Sequence, residues 1–201
     1  MSTQPDRTRD LALTATFAGF IAALGLVPAF SPFGFAVPIT IQSLGVMITG
    51  AVLGPRRGAA AVGLFLLLVA IGLPVLSGGR GGLGVFAGPT VGYLIGFPIA
   101  AAVTGAMVYR RGAPYVFWWG LVAVFTGGVV VLYAIGIPVT ALRAGISLQA
   151  AVVGSAPFLV GDCVKAVVAA AVAGAVHRAH PGLLPASRRA VARPRAEQLT
   201  A

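Results

Sequence analysis

The chain is a succession of long apolar runs separated by short polar or Gly/Pro-rich breaks. Six runs can be counted: Leu11–Phe30, Ile39–Leu53, Ala59–Leu76, Thr90–Tyr109, Val116–Ile137 and Leu148–Val176. Most reach the ~20 residues that an α-helix needs to cross the hydrocarbon of a bilayer. The second is short, and it either breaks or continues back through the Pro-rich stretch before it. Runs such as "AAAVGLFLLLVAIGLPV" are apolar on every side. A transmembrane barrel strand would instead alternate apolar and polar residues over about ten positions. The pattern therefore predicts an all-α, polytopic membrane protein, a bundle of six transmembrane helices.

Polar residues then orient the bundle. With the N-terminus inside, the cytoplasmic segments hold Arg7, Arg9, Arg56, Arg57, Arg110, Arg111, Arg178, Arg188, Arg189, Arg193 and Arg195, and the external loops hold only Arg80 and Arg143. Cytoplasmic loops carry the excess of Arg and Lys, so both termini are expected inside. Tyr109, Tyr115, Trp118 and Trp119 gather at one boundary, as interfacial aromatics do. The expected organisation is a cytoplasmic segment 1–10, a transmembrane domain 11–177 and a basic, Pro-containing, disordered cytoplasmic tail 178–201. The first span has Arg7 and Arg9 before it and "PAFS" after it, as a signal peptide would. Its apolar part is longer than a usual signal core, and Asp6 and Asp10 offset the arginines. "RRGA…AIGLPV" and "RRGA…AIGIPV" bracket the third and fifth spans, without a fixed period, and read as similar boundary chemistry.

Composition narrows the function. Hydrophobic residues make up 58% of the 201 positions and charged ones 9%, too few to coat a soluble domain of this size. The net charge of +10 sits in Arg pairs and tails, and no helix face carries a basic stripe for nucleic acid. The one cysteine, Cys163, excludes an internal disulfide. One Cys and two His near the C-terminal end form no metal constellation, and no cofactor is expected. Intramembrane hydrolysis fails on distance: Ser155 and His177 on one helix would lie ~33 Å apart at 1.5 Å per residue. No nucleotide-binding motif is present, so ATP-driven transport would require another subunit to bind the nucleotide.

Four residues are candidates for a polar site. Asp162 and Lys165 lie mid-span in the sixth run, three apart and so on one helix face. A charge at that depth costs about 2.5–3.5 kcal/mol on insertion scales, so it faces a bundle interior or wet cavity. The pair is either a self-neutralising ion pair or a ligand site, and Pro157 and Gly161 before it favour a bend that opens a cavity. Arg80 lies in "SGGRGGLGVFAGPTVGY", where glycines permit close backbone approach, and its guanidinium fork suits an anion. Gln42, near the outer end of the second span, offers both donor and acceptor. Ala15, Gly19 and Ala23 recur at four-residue spacing on the first span, a small-residue face that lets helices pack closely in lipid, within the chain or against another protein.

Four motifs in order, "VPITIQSLGV", "GPRRGAAAVGLFLLLVAIGLPV", "GGRGGLGVFAGPTVGYLIGF" and "PFLVGDCVKAVVAAAVA", closely resemble the BioY family, the biotin-specific substrate-binding (S) components of energy-coupling-factor transporters. The resemblance covers roughly residues 10–177. It implies a six-helix bundle in the bacterial inner membrane that binds biotin from outside. It also implies docking on a transmembrane coupling protein with two ATPases. Asp162 and Lys165 match the family's polar pair on the last helix, which helps hold the biotin head group, and Tyr93 matches the aromatic of the "GPT-x-GY" motif. One departure is Val91, where the family usually has Gly. The ligand's cyclic urea suits Asp162 as acceptor and Lys165 as donor, and its carboxylate suits Arg80. The competing readings are an S component for another vitamin, such as thiamine or riboflavin, a structural membrane subunit, and an intramembrane enzyme.

Overall fold

The structure, a computed structural model, describes residues 7–27 and 40–186. In lipid every backbone polar group must find a partner within the protein, and uniformly apolar runs find it by coiling into helices. Among the described residues these are α1 (Arg7–Gly25), α2 (Gln42–Ala70), α3 (Val91–Arg111), α4 (Phe117–Ala144) and α5 (Leu148–Ala179). Short 3-10 turns lie at Leu83–Phe86 and Pro181–Leu183. No β-strand is present among the described residues, only isolated bridges. Helices α3 to α5 are each long and apolar enough to cross a membrane, and α2 is so when its whole length is counted.

The expected second and third spans form a single element, α2, broken at Gly54 (φ 80°, ψ −176°). Only glycine adopts such a backbone freely, and Pro55 beside it has no N–H with which to continue the helix. The chain folds back at this point. Gly58 lies against Gly50 and Thr49, positions more than two turns away in a straight helix.

The break orphans helix carbonyls, and aromatic side chains supply the missing donors. Ala51 O would ordinarily accept from the amide of residue 55, which is proline; His177 Nε2 donates to it instead, at 3.0 Å. Val52 O accepts from the Tyr109 hydroxyl at 2.9 Å. Tyr115, in the α3–α4 connection, stacks on the His177 ring at 5.3 Å and donates to Ala170 O at 2.9 Å. Burial pushes the Tyr115 phenol up to about 12, with Arg178 pulling against it, so it stays a neutral donor at ordinary pH.

The other boundaries move for local reasons. Helix α1 starts earlier than expected, at Arg7, and the end of the expected first span (28–30) lies outside the described residues. The second arm of α2 stops at Ala70 and not at Leu76, because Gly72 takes a positive φ of 107° and the chain turns. Leu76 N–H then bonds Arg80 O at 3.0 Å and Gly82 N–H bonds Val69 O at 2.8 Å, closing a compact loop. Helix α4 runs on to Ala144 through a π-helical stretch at Thr126–Val131. Helix α5 continues to Ala179, and the chain turns back so that Ala113 N–H bonds Pro185 O at 2.9 Å and Leu184 is buried. The remainder of the basic tail, 187–201, lies outside the described residues.

Packing separates the two ends of the bundle. At one end lie the Gly54 elbow, the α3–α4 connection and the end of α5, with an Asp10–Arg57 ion pair at 2.9 Å joining α1 to the elbow. At the other lie Gln42, the loop after α2, and the start of α3, where Thr140 donates to Pro89 O at 3.1 Å. On α5 the inward stripe is mostly small (Ala151, Ser155, Asp162, Ala166, Ala169, Ala170, Ala173, Gly174) up to the buried His177, while Val153, Val160 and Val164 are exposed. This is how helices approach closely in lipid, with small residues between them and branched ones facing outward.

Candidate functional site

A cavity of about 110 Å³ opens at the end away from the Gly54 elbow. Its polar lining is Thr40, Gln42, Ser43, Ser77, Arg80, Thr90, Tyr93, Tyr133, Asp162 and Lys165. Leu76, Leu94, Phe97, Leu132 and Phe158 complete the wall with apolar surface. An apolar pocket with a few convergent polar groups is the usual form of a small-molecule site.

The polar groups form one network around Asp162. Lys165 Nζ donates to Asp162 Oδ1 at 2.9 Å and to Ser43 Oγ at 3.0 Å. Ser43 in turn donates to Asp162 Oδ1 at 3.3 Å, and the Tyr133 hydroxyl donates to Oδ2 at 2.7 Å. The side chains of Asp162 and Lys165 are only 8% and 14% exposed, so the pair is held largely out of water. A carboxylate has about four lone-pair sites and an ammonium three N–H groups. Counted over the described residues, Oδ1 is filled by two donors, Oδ2 retains an open site, and Lys165 retains one N–H. An unfilled acceptor and an unfilled donor therefore remain on two neighbouring residues that line the cavity.

Tyr93 and Tyr133 meet edge to face with ring centroids 6.0 Å apart. Tyr93 bonds Ser155 Oγ at 3.1 Å; since Ser155 already donates to Ala151 O at 2.8 Å, the phenol is the donor. Arg80 is exposed at the cavity edge, with its Nε on Ser77 O at 3.3 Å. Ser77 belongs to the cavity wall, and its hydroxyl is buried with no partner among the described residues.

All five polar residues expected from the sequence, Gln42, Arg80, Tyr93, Asp162 and Lys165, line this one cavity. Gln42, however, spends its amide on backbone: Nε2 donates to Val75 O at 2.8 Å and to Ile21 O at 3.3 Å, and Oε1 accepts from Ser77 N–H at 3.3 Å. Ala15, Gly19 and Ala23 lie elsewhere, on an exposed face of α1, while Ala18, Ile21 and Gly25 pack inward. A side chain added at Gly19 would meet nothing within 4 Å. Sequence reasoning missed Ser43, Ser77 and Tyr133. Ser43 adjoins Gln42 and Ser77 adjoins the glycine loop, so position alone pointed to both. Tyr133 had no local signal, being one aromatic in an apolar run.

Comparison with known proteins follows the same lines. The model of the BioY family matches residues 1–182. A "Biotin transporter BioY" of Rhizobium etli is 55% identical over 185 residues, covering 89% of this chain and 98% of that protein. One of Rhodobacter capsulatus is 51% identical over 186 residues, covering 88% and 97%. A crystal structure described as the S-component for biotin from an ECF-type ABC transporter superposes with a TM-score of 0.81 at 30% identity, covering 89% of this chain and 95% of that one.

Proposed function

Because this chain belongs to the BioY family, we propose that it is a biotin-binding S component that takes biotin from outside the cell and delivers it to the cytoplasm with an ATP-driven coupling module. It is a transporter component and not an enzyme. The observation that carries the ligand assignment is the open acceptor on Asp162 beside the open donor on Lys165. A cyclic urea presents an N–H next to a C=O, the complement of that edge. Ser77, another polar residue of the cavity wall, has a buried hydroxyl without a partner among the described residues, and a small rotation of it would offer an acceptor to the second urea N–H. Tyr93, Phe97 and Phe158 cover the sulfur ring, and Arg80 pairs the carboxylate where the cavity meets solvent.

Orientation in a bacterial inner membrane rests on charge. Arg56, Arg57, Arg110, Arg111 and Arg178 belong to the end opposite the cavity. Cytoplasmic Arg excess thus points the cavity outward, with six crossings when α2 counts as two arms and with both termini inside. The exposed Ala15–Gly19–Ala23 face of α1 is the surface for the coupling protein, where close helix approach needs small residues. Titration calorimetry of the purified chain with biotin, thiamine and riboflavin tests the assignment. One biotin per chain is expected; binding of thiamine or riboflavin in its place would overturn the ligand.

A further inference from the structure

The amide of Gln42 sits where three backbone segments meet. It is 2% exposed and joins Ile21 O of α1 to Val75 O and Ser77 N–H of the loop after α2. Gly25, on the next turn of α1, closes the same junction: a Cβ there would collide with Val75 O and with Gln42 Nε2. The residue after Gln42 is Ser43, which touches both Asp162 and Lys165. The residue whose N–H it holds is Ser77, part of the cavity wall.

We propose that Gln42 is a positioning residue that ties the cavity loop to α1, so that filling the cavity is felt at α1. The physical basis is saturation. With its donors on two carbonyls and its acceptor on an amide, the Gln42 side chain has little left to offer a ligand. Any shift of the loop or of Ser43 on binding must instead move a bond shared with Ile21. Ile21 is fully buried on the inner side of α1, and the Ala15–Gly19–Ala23 face is on the outer side of the same helix. This inference rests on the biotin reading of the cavity.

Hydrogen–deuterium exchange of the full chain, with and without biotin, tests it. In the wild type biotin should slow exchange about 5-fold or more both in the loop 75–82 and in the last turn of α1, 21–25. In Gln42→Met, which keeps length and apolar bulk, biotin should bind more weakly because Ser77 loses its anchor, but at saturating biotin the loop should still be protected while the protection of α1 disappears. Gly25→Ala, which leaves the amide intact but wedges the junction open, should do the same and carries the comparison if Gln42→Met does not fold. A purely structural glutamine would lower stability and leave the biotin-induced protection of α1 in place, which would overturn the proposal. So would an α1 unchanged by biotin in the wild type. No biotin binding to the wild type at all would overturn the ligand assignment itself, a result distinct from bound biotin that leaves α1 untouched.

Discussion

The hydroxyl of Tyr133 donates to Asp162 Oδ2 at 2.7 Å, fixing the carboxylate from across the bundle. Tyr133 lies just past the π-helical stretch Thr126–Val131, whose extra residue per turn changes the face that the rest of α4 presents. Tyr133→Phe keeps the ring against Tyr93 and removes only this bond. Hydrogen bonds to charged groups contribute about 1.5–3 kcal/mol. Biotin affinity should fall about tenfold or more, measured by calorimetry, with the fold retained. Unchanged affinity would show that Asp162 is oriented without the phenol.

His177 illustrates the opposite case, a buried polar residue with a structural task. Its Nε2 satisfies the carbonyl orphaned by Pro55, at the end of the bundle away from the cavity. His177→Phe should leave Ala51 O without that donor and destabilise the protein by about 1–3 kcal/mol. Thermal unfolding should shift downward while biotin affinity in the folded protein stays at the wild-type value. A large loss of affinity without loss of stability would move His177 into the ligand site.

For α1 the expectation is a separation of binding from docking. Gly19 faces open space, so Gly19→Leu should fold normally and bind biotin normally. Ala15→Trp, on the same exposed face, should behave likewise. Both should lose co-purification with the coupling module, because bulk there holds the helices apart. Intact co-purification would mean that the coupling protein uses another face.

Topology can be checked by labelling single cysteines in a Cys163→Ser background with an impermeant reagent. Positions 80 and 143 should react from outside and position 110 should not. External labelling at 110 would reverse or break the orientation argued from the arginines.

Much of the architecture was legible because lipid imposes it. Uniformly apolar runs must be helices, so the all-helical class was legible, while the division into six spans differs from the structure, in which the second and third runs form one broken element, α2. In the sequence, residues 54–58 read as a connection between two separate spans; the structure makes them a sharp break within α2, and adds the hairpin and the donors from His177 and Tyr109 that make it tolerable. Asp162 and Lys165 stood out because charge is rare in such a chain. Ser43, Ser77 and Tyr133 did not, since hydroxyls inside apolar runs carry no period and gain meaning only from neighbours far away in sequence. The inward face of α5 was hidden for a related reason. It is marked by small residues, and alanine and valine read alike on a hydropathy scale. Gln42 was chosen for its hydrogen-bonding capacity, but that capacity is consumed by backbone, which only coordinates reveal.

The central claim is that Asp162 and Lys165 grip a ligand and do more than neutralise each other. Removing one partner, as in Asp162→Ala, strands a buried ammonium and should cost about 3–5 kcal/mol of stability on either view. The decisive measurement is biotin binding by the double mutant Asp162→Leu with Lys165→Met. Two desolvated charges are gone, so it should fold at least as well as the wild type. Biotin affinity should nevertheless drop more than about 100-fold, as two charged hydrogen bonds at about 1.5–3 kcal/mol each are lost. A folded double mutant that binds biotin as tightly as the wild type would contradict the account.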